Sequence, residues 1–439
     1  MIGVVGMEIL IIGGTGDTGQ WFVKFFKKRG FGVTVWGKNR RLDVAEKLGV
    51  PFADDINEAI GESDVVMISV PINITESIIR EIAPKMRPGS LLMDVTSIKK
   101  GPVDAMERYA PEGVECLGTH PMFGPSIPDI RGQTVILTPT RRCTRWLPVI
   151  EGIYAEAGAH IEIITPVEHD EIMRVVQGLT HFAYISIAAT LEAINFDVAK
   201  SRRFMSPVYE IMLDFVGRIL AQNPYLYAMI QTNPHVTDLH DTFIGECRAL
   251  SDLIKEGDIE GFVERMKQAA RHFANTEAAQ RRSDKLINNK IAEYERFVQA
   301  VNKYCAVKHL HTERVHTGTL VEVTPLGITL QKNKKKTRLK IENIKLLTDE
   351  EYTRWKRAEM TRVAKDVSVY IPKGSDPMVI QRIIEGLSPE IISARIIDIY
   401  NQSEEGVSIT YRLALLAEDQ RETLQRVIEL LLGIGCRQR

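Results

Sequence analysis

Three glycines in the run Ile11-Ile12-Gly13-Gly14-Thr15-Gly16-Asp17-Thr18-Gly19 have the spacing of a dinucleotide-binding turn, Gly14-x-Gly16-x-x-Gly19. In such a turn Gly14 makes the bend, Gly16 lets backbone approach a pyrophosphate, and Gly19 lets the next helix pack closely on the sheet. The N-terminus of that helix then offers free N–H groups and a positive dipole end to the phosphates. The next strand ends at Val35-Trp36-Gly37-Lys38-Asn39-Arg40-Arg41. An acidic residue there would hold a ribose 2′-hydroxyl. Gly37 stands in its place, and Lys38, Arg40 and Arg41 would attract a 2′-phosphate. The spacing predicts NADP as cofactor, with NAD as the alternative.

Farther along, Arg218 and His181 sit in apolar stretches of helical periodicity. A guanidinium among Ile211, Met212, Phe215, Val216, Ile219 and Leu220 suits either a buried ion pair or a bidentate clamp on a planar carboxylate. His309, His311 and His316 make a His-x-His-x4-His cluster that reads as strand surface rather than as a convincing tetrahedral set, and no metal is expected. The five cysteines are scattered without metal or redox spacing and read as reduced thiols. His169-Asp170 reads as the start of a helix. Lys99 and Lys100 could sit near phosphate or substrate, but exposed lysines are common and neither is assigned to the site.

These residues need a scaffold of several domains, because 439 residues exceed what one hydrophobic core organises. A chain 44% hydrophobic and 26% charged is ordinary for a globular protein, and its net charge of -1 gives no global pull toward nucleic acid or an anionic membrane. No apolar run is long enough to span a bilayer, and a cytoplasmic location is expected. Apolar runs at Glu8–Ile12, Gly32–Trp36, Val65–Val70, Leu91–Val95 and Thr134–Leu137 alternate with amphipathic stretches. That pattern predicts an α/β fold with a Rossmann-type, doubly wound sheet over residues 1–165. Helical periodicity then takes over at Glu168–Leu191, Pro207–Gln222 and from Ile259 to about Asn302. Residues 166–305 are therefore assigned to an all-helical domain that closes the cleft and forms a homodimer. Residues 306–362 follow as a small β-barrel-like module and linker helix. Residues 363–439 read strand, helix, strand, strand, helix, the order of a ferredoxin-like domain.

The segments Asp94-Val-Thr-Ser97-Ile-Lys99 and Gly118-Thr-His120-Pro-Met-Phe-Gly124-Pro resemble those of prephenate dehydrogenases, the TyrA family. The likeness continues through Val167-Glu-His169-Asp170, Gln177-Gly-Leu-Thr-His181-Phe and Phe215-Val-Gly-Arg218 to Pro224, covering roughly residues 7 to 300. It implies oxidative decarboxylation of prephenate to 4-hydroxyphenylpyruvate. It also implies that His120 accepts the 4-hydroxyl proton, a task suited to an imidazole neutral near pH 7. By the same resemblance Ser97 bonds that hydroxyl, Arg218 binds substrate and His181 lies in the cleft. Both Ser97 and His120 are expected just beyond strand ends, where open α/β sheets bind ligands.

Arogenate, with an amino group in place of the keto group, is the rival substrate. A non-catalytic nucleotide-sensing or RNA-binding regulator is the rival class. The C-terminal stretches Asp366–Pro372 and Ser408–Leu413 resemble the anticodon-binding domain of phenylalanyl-tRNA synthetase, while the topology also fits an amino-acid-sensing ACT domain. Any nucleic-acid contact would fall there, and a purely stabilising appendage remains as the third reading.

Overall fold

The computed structural model describes residues 6–402, 406–418 and 420–439, and the chain divides into two units, before and after the step from Ala274 to Asn275. In the first unit, short apolar runs become strands because alternate side chains point to opposite faces, and both faces are covered by helices. Strands β1 (Glu8–Ile12), β2 (Gly32–Trp36), β3 (Val65–Ile68) and β4 (Leu91–Asp94) alternate with helices α1 (Asp17–Lys27), α2 (Leu42–Leu48), α3 (Ile56–Glu62) and α4 (Ile72–Ile82). Helix α5 (Lys100–Tyr109), β5 (Glu115–Pro121), β6 (Thr134–Pro139), α6 (Trp146–Glu156) and β7 (His160–Ile163) complete the sheet, in the order β2-β1-β3-β4-β5-β6-β7. Pairing is parallel except between β5 and β6.

Ile9, Ile11, Met67 and Met93 pack on one face against Phe22, Phe25 and Phe26 of α1. Leu10, Ile12, Ile68 and Leu92 pack on the other against Ile60, Ile79 and Met106. Each such side chain contributes about 1.5–3 kcal/mol on burial, which fixes the strand ends that carry the loops. Strands β5 and β7 were not anticipated from the sequence, and His120 lies within β5 rather than beyond its end.

The expected helix over Glu168–Leu191 is interrupted. Helix α7 (Pro166–Met173) passes into a π-helical turn, Arg174–Leu179, before α8 (Thr180–Ala193) begins. A short α9 (Val198–Ser201), α10 (Pro207–Leu220), α11 (Pro224–Gln231), α12 (Pro234–Glu256) and α13 (Ile259–Phe273) follow. No single helix among the described residues is long and apolar enough to cross a membrane.

The second unit opens with α14 (Thr276–Gln299), which the sequence reading had grouped with the preceding helices. Its Phe297 is fully buried with Val307, Leu320 and Ile328 of the following β module, which draws the helix into this unit. That module is a five-stranded antiparallel sheet, β11-β10-β9-β8-β12, from β8 (Tyr304–His309), β9 (Val315–Thr324), β10 (Gly327–Lys332), β11 (Lys335–Lys340) and β12 (Ile344–Leu346). After α15 (Asp349–Glu359), the strands β13 (Arg362–Ile371), β14 (Ile391–Gln402), β15 (Gly406–Leu416) and β16 (Arg437–Gln438) form the sheet β14-β15-β13-β16. With α16 (Pro377–Leu387) and α17 (Gln420–Gly433) this is the ferredoxin-like plait, its core built on Ile384, Tyr411, Leu413 and Val427.

Candidate active site

The turn between β1 and α1 is shaped by close approach. Gly13 adopts a φ of +84°, and a Cβ on it would lie 2.1 Å from the Ser69 carbonyl oxygen. A Cβ on Gly14 would meet Val35 at 2.5 Å, and one on Gly19 would meet the Gly13 oxygen at 2.3 Å. The bend therefore belongs to Gly13, which the sequence reading passed over, while Gly14 supplies strand clearance and Gly19 seats the helix. Gly16 is the N-cap of α1 and no side chain caps that end, so its leading N–H groups face outward. Beyond β2, Lys38, Arg40 and Arg41 are all exposed. Arg41 donates to the Thr15 carbonyl of the glycine turn at 3.4 Å, whereas Arg40 is paired with Asp54 at 2.7 Å. Among the three, Arg41 stands against the turn itself.

At the far end of β4 and β5 a buried polar network replaces the apolar core. His120, the sixth residue of β5, is 2% exposed and sits opposite Ile136 of β6. Its Nδ1 lies 2.8 Å from Nε2 of His169, and Nδ1 of His169 lies 2.7 Å from Asp170 Oδ1. The Asp170 carboxylate accepts the backbone N–H groups of Lys99 at 2.8 Å and Lys100 at 3.0 Å. Those are the N-cap and first residue of α5, a helix end without a side-chain cap of its own. Asp170 on α7 thus serves as the anion at the N-terminus of α5.

The sequence reading took His169-Asp170 as a helix start. The helix instead begins at Pro166, capped by Thr165, and the pair lies in its second turn, turned inward onto His120. Lys99, left outside the site as an ordinary exposed lysine, has a fully buried side chain. It donates to Asp94 Oδ2 and, at 2.8 Å, to the Thr119 carbonyl oxygen. Gly118 makes room for it, since a Cβ there would come within 3.1 Å of the lysine Cδ. Lys100 is exposed and paired with Asp104. Ser97 is half-buried in the loop between Thr96, whose N–H bonds Asp94 at 2.9 Å, and Lys99.

Burial pulls His120 well below the ordinary histidine value of 6.5, and neighbouring His169 and Lys99 push the same way. Burial also lowers His169, against the opposing pull of its bond to Asp170. Burial would raise Asp170, but the bonds from His169 and the two backbone N–H groups hold it below the usual carboxylate value. The site therefore keeps a neutral imidazole at neutral pH.

On the helical side, the π-helical turn carries Gln177 to His120, its Nε2 lying 3.2 Å from the His120 Nε2. Such turns recur at functional sites because they re-aim side chains. Gln231 of α11 holds this one by donating to the Gly178 carbonyl at 3.0 Å. His181 packs edge-on against Tyr227 of α11, ring centroids 4.7 Å apart, and its buried Nδ1 has no hydrogen-bond partner among the described residues. Arg218 is exposed rather than enclosed, because α10 buries Leu213, Val216 and Ile219 and turns Arg218 to the opposite side. Its charge acts on Tyr227, placing it in the same neighbourhood as His181. The structure thus groups His120 with Gln177, and His181 with Tyr227 and Arg218. His309 and His311 lie in the β module with ring centroids 5.9 Å apart, and no group of three metal-binding side chains gathers among the described residues.

A parallel sheet with a glycine turn, joined to helices that carry polar side chains onto a buried histidine, is the architecture of a nucleotide-binding oxidoreductase. Residues 22–163 match the prephenate dehydrogenase nucleotide-binding domain, and residues 165–268 match the prephenate dehydrogenase dimerization domain. A probable arogenate/prephenate dehydrogenase from Methanocaldococcus jannaschii is 39% identical over 443 residues, spanning 99% of this chain and 98% of that protein. A T-protein from Enterobacter agglomerans is 31% identical over 271 residues, 61% of this chain and 68% of that one. The crystal structure of prephenate dehydrogenase from A. aeolicus with hydroxyphenyl propionate and NAD+ shares the fold, with a TM-score of 0.50 and 22% identity over 62% of this chain and 98% of that one. The chain belongs to the prephenate dehydrogenase family.

Proposed function

We propose that this chain oxidises prephenate, with loss of carbon dioxide, to 4-hydroxyphenylpyruvate, using NADP in preference to NAD. The observation that carries the reading is the buried, neutral His120 held between His169 and Gln177, a base at the end of the strand next to β4. Removing hydride from the ring carbinol carbon leaves its hydroxyl proton to be accepted, and His120 Nε2 is the atom facing that task. Loss of the ring carboxylate as carbon dioxide then leaves an aromatic ring. The chemistry the cofactor supplies when bound is acceptance of the hydride.

The residues present fit such a cofactor, since the glycine cradle leaves no room for side chains and the start of α1 is uncapped. The turn that Gly14, Gly16 and Gly19 shape would hold the pyrophosphate on its backbone, and Lys38, Arg40 and Arg41 the 2′-phosphate. Ser97, in the loop beside Lys99, would bond the substrate hydroxyl. Arg218 would clamp a substrate carboxylate, and His181 would position substrate or cofactor.

A homodimer is part of the proposal. The matched dimerization domain and the exposed Phe204, Val208 and Met266, 79%, 70% and 68% accessible in the single chain, support a second copy covering the helical region. A cytoplasmic setting accords with five unpaired cysteines.

The test is a rise in reduced-nicotinamide absorbance when purified chain meets prephenate, faster with NADP+ than with NAD+. Arogenate in the same assay decides the substrate. No rise with either substrate and either cofactor would contradict the reading.

A further inference from the structure

The geometry points to His169 as a positioning residue: anchored by Asp170, it fixes His120 in the tautomer with its proton on Nδ1 and a bare lone pair on Nε2 facing Gln177. This rests on His120 being the base of the proposed reaction, and it follows from counting donors and acceptors.

The two backbone N–H groups of Lys99 and Lys100 can only donate, so the Asp170 carboxylate is fixed as acceptor at both oxygens. An ionised carboxylate has nothing to donate, so its 2.7 Å contact with His169 requires the proton on His169 Nδ1. A neutral imidazole carries one N–H, which leaves His169 Nε2 as an acceptor. His120 Nδ1, 2.8 Å away, must then be the donor, and the same rule leaves His120 Nε2 bare. The Gln177 amide nitrogen, 3.2 Å from it, has hydrogens to give and marks where a ligand hydroxyl would bond. The other end of that amide, Oε1, is buried without a hydrogen-bond partner among the described residues, so the contact with His120 is the one a ligand hydroxyl would have to displace.

The alternative tautomer would aim an N–H at the ligand and could not take a proton. Orientation thus runs from the start of α5, through α7, to the end of β5. When the substrate O–H bond breaks, the new N–H bond forms at His120 Nε2, and the resulting imidazolium keeps its Nδ1–H bond to His169. The Asp170 carboxylate lies one ring farther on to balance the charge. Lys99 opposes that charge and Asp94, which pairs with Lys99, offsets the opposition.

The direct test is nitrogen NMR of the histidine side chains in the full chain without substrate, comparing wild type with His169→Ala and His169→Gln. Wild type should show His120 Nε2 as an unprotonated nitrogen at neutral pH. His169→Ala should lose that single tautomer and lower kcat by roughly 100-fold or more, with KM for substrate within about threefold. His169→Gln places an amide oxygen where Nε2 stood, and it should restore the tautomer and at least about tenfold of the lost kcat. A protonated Nε2 in wild type overturns the inference, as does an unchanged tautomer in His169→Ala. The NMR readout needs no substrate, so a chain that oxidises neither prephenate nor arogenate would refute the proposed reaction while leaving the tautomer result to stand or fall separately.

Discussion

Replacing Lys99 with methionine should destabilise the first unit heavily and move the pH dependence of catalysis. The ammonium is fully buried and bonds both Asp94 and the Thr119 carbonyl oxygen. Burial lowers its pKa and the Asp94 carboxylate opposes that, so the ammonium relies on Asp94 to remain charged away from water. Methionine fills similar volume but leaves the Asp94 charge without its cation. Removing one member of a buried pair costs about 3–5 kcal/mol. In a unit of this size that is a fall in Tm of roughly 5–9 °C, read by calorimetry on the transition assigned to the first unit. Adding Asp94→Asn, which keeps an oxygen for the Thr96 N–H, should recover at least about half of the loss. Lys99 also holds down the pKa of His120 and His169, so the acid limb of kcat/KM should shift to higher pH in Lys99→Met. A Tm within about 2 °C of wild type, or an acid limb that moves lower, would refute the reasoning.

Other outcomes follow from the same geometry. His120 lies well below its ordinary value of 6.5, so the acid limb of wild-type kcat/KM should fall below pH 6.5, as measured by initial rates across pH. For stability the sign is that of a depressed base: the contributions of His120 and His169 are complete above about 6.5 and decline as pH falls toward their folded values, which denaturant titrations at several pH values would show. Arg218→Ala should mainly raise KM, by about tenfold or more with little change in kcat, as expected for lost ground-state binding. Arg41→Ala should weaken NADP+ binding several-fold more than NAD+ binding in calorimetric titrations, whereas equal losses would place the 2′-phosphate elsewhere.

The parallel core was legible because its strands are short apolar runs bounded by glycine and charge, with both faces buried. Strand β5 was not, since Gly118, Thr119 and His120 interrupt the apolar pattern for the sake of the site they line. The glycine turn announced itself by spacing, but the residue with positive φ is Gly13, one position before the motif's first glycine. His120 stood out only through its neighbours in sequence. His169-Asp170 looked like a helix start because a local window cannot show that the chain returns to set it against α5. Lys99 looked exposed because no spacing rule shows its side chain folding back to Asp94, five residues earlier, and reaching the Thr119 carbonyl of β5. The π-helical turn that aims Gln177 leaves no periodicity signal separate from that of an α-helix. Arg218 was read from the apolar residues around it, yet of those only Val216 and Ile219 are buried, with Leu213, on the face opposite Arg218.

The most direct measurement is single-turnover oxidation of prephenate by His120→Asn, with cofactor affinity measured on the same preparation. If His120 takes the hydroxyl proton, the rate falls by roughly 100-fold to 10,000-fold while the cofactor Kd stays within about threefold. A variant that turns over at near wild-type rate, or that loses cofactor binding in step with rate, would contradict the assignment.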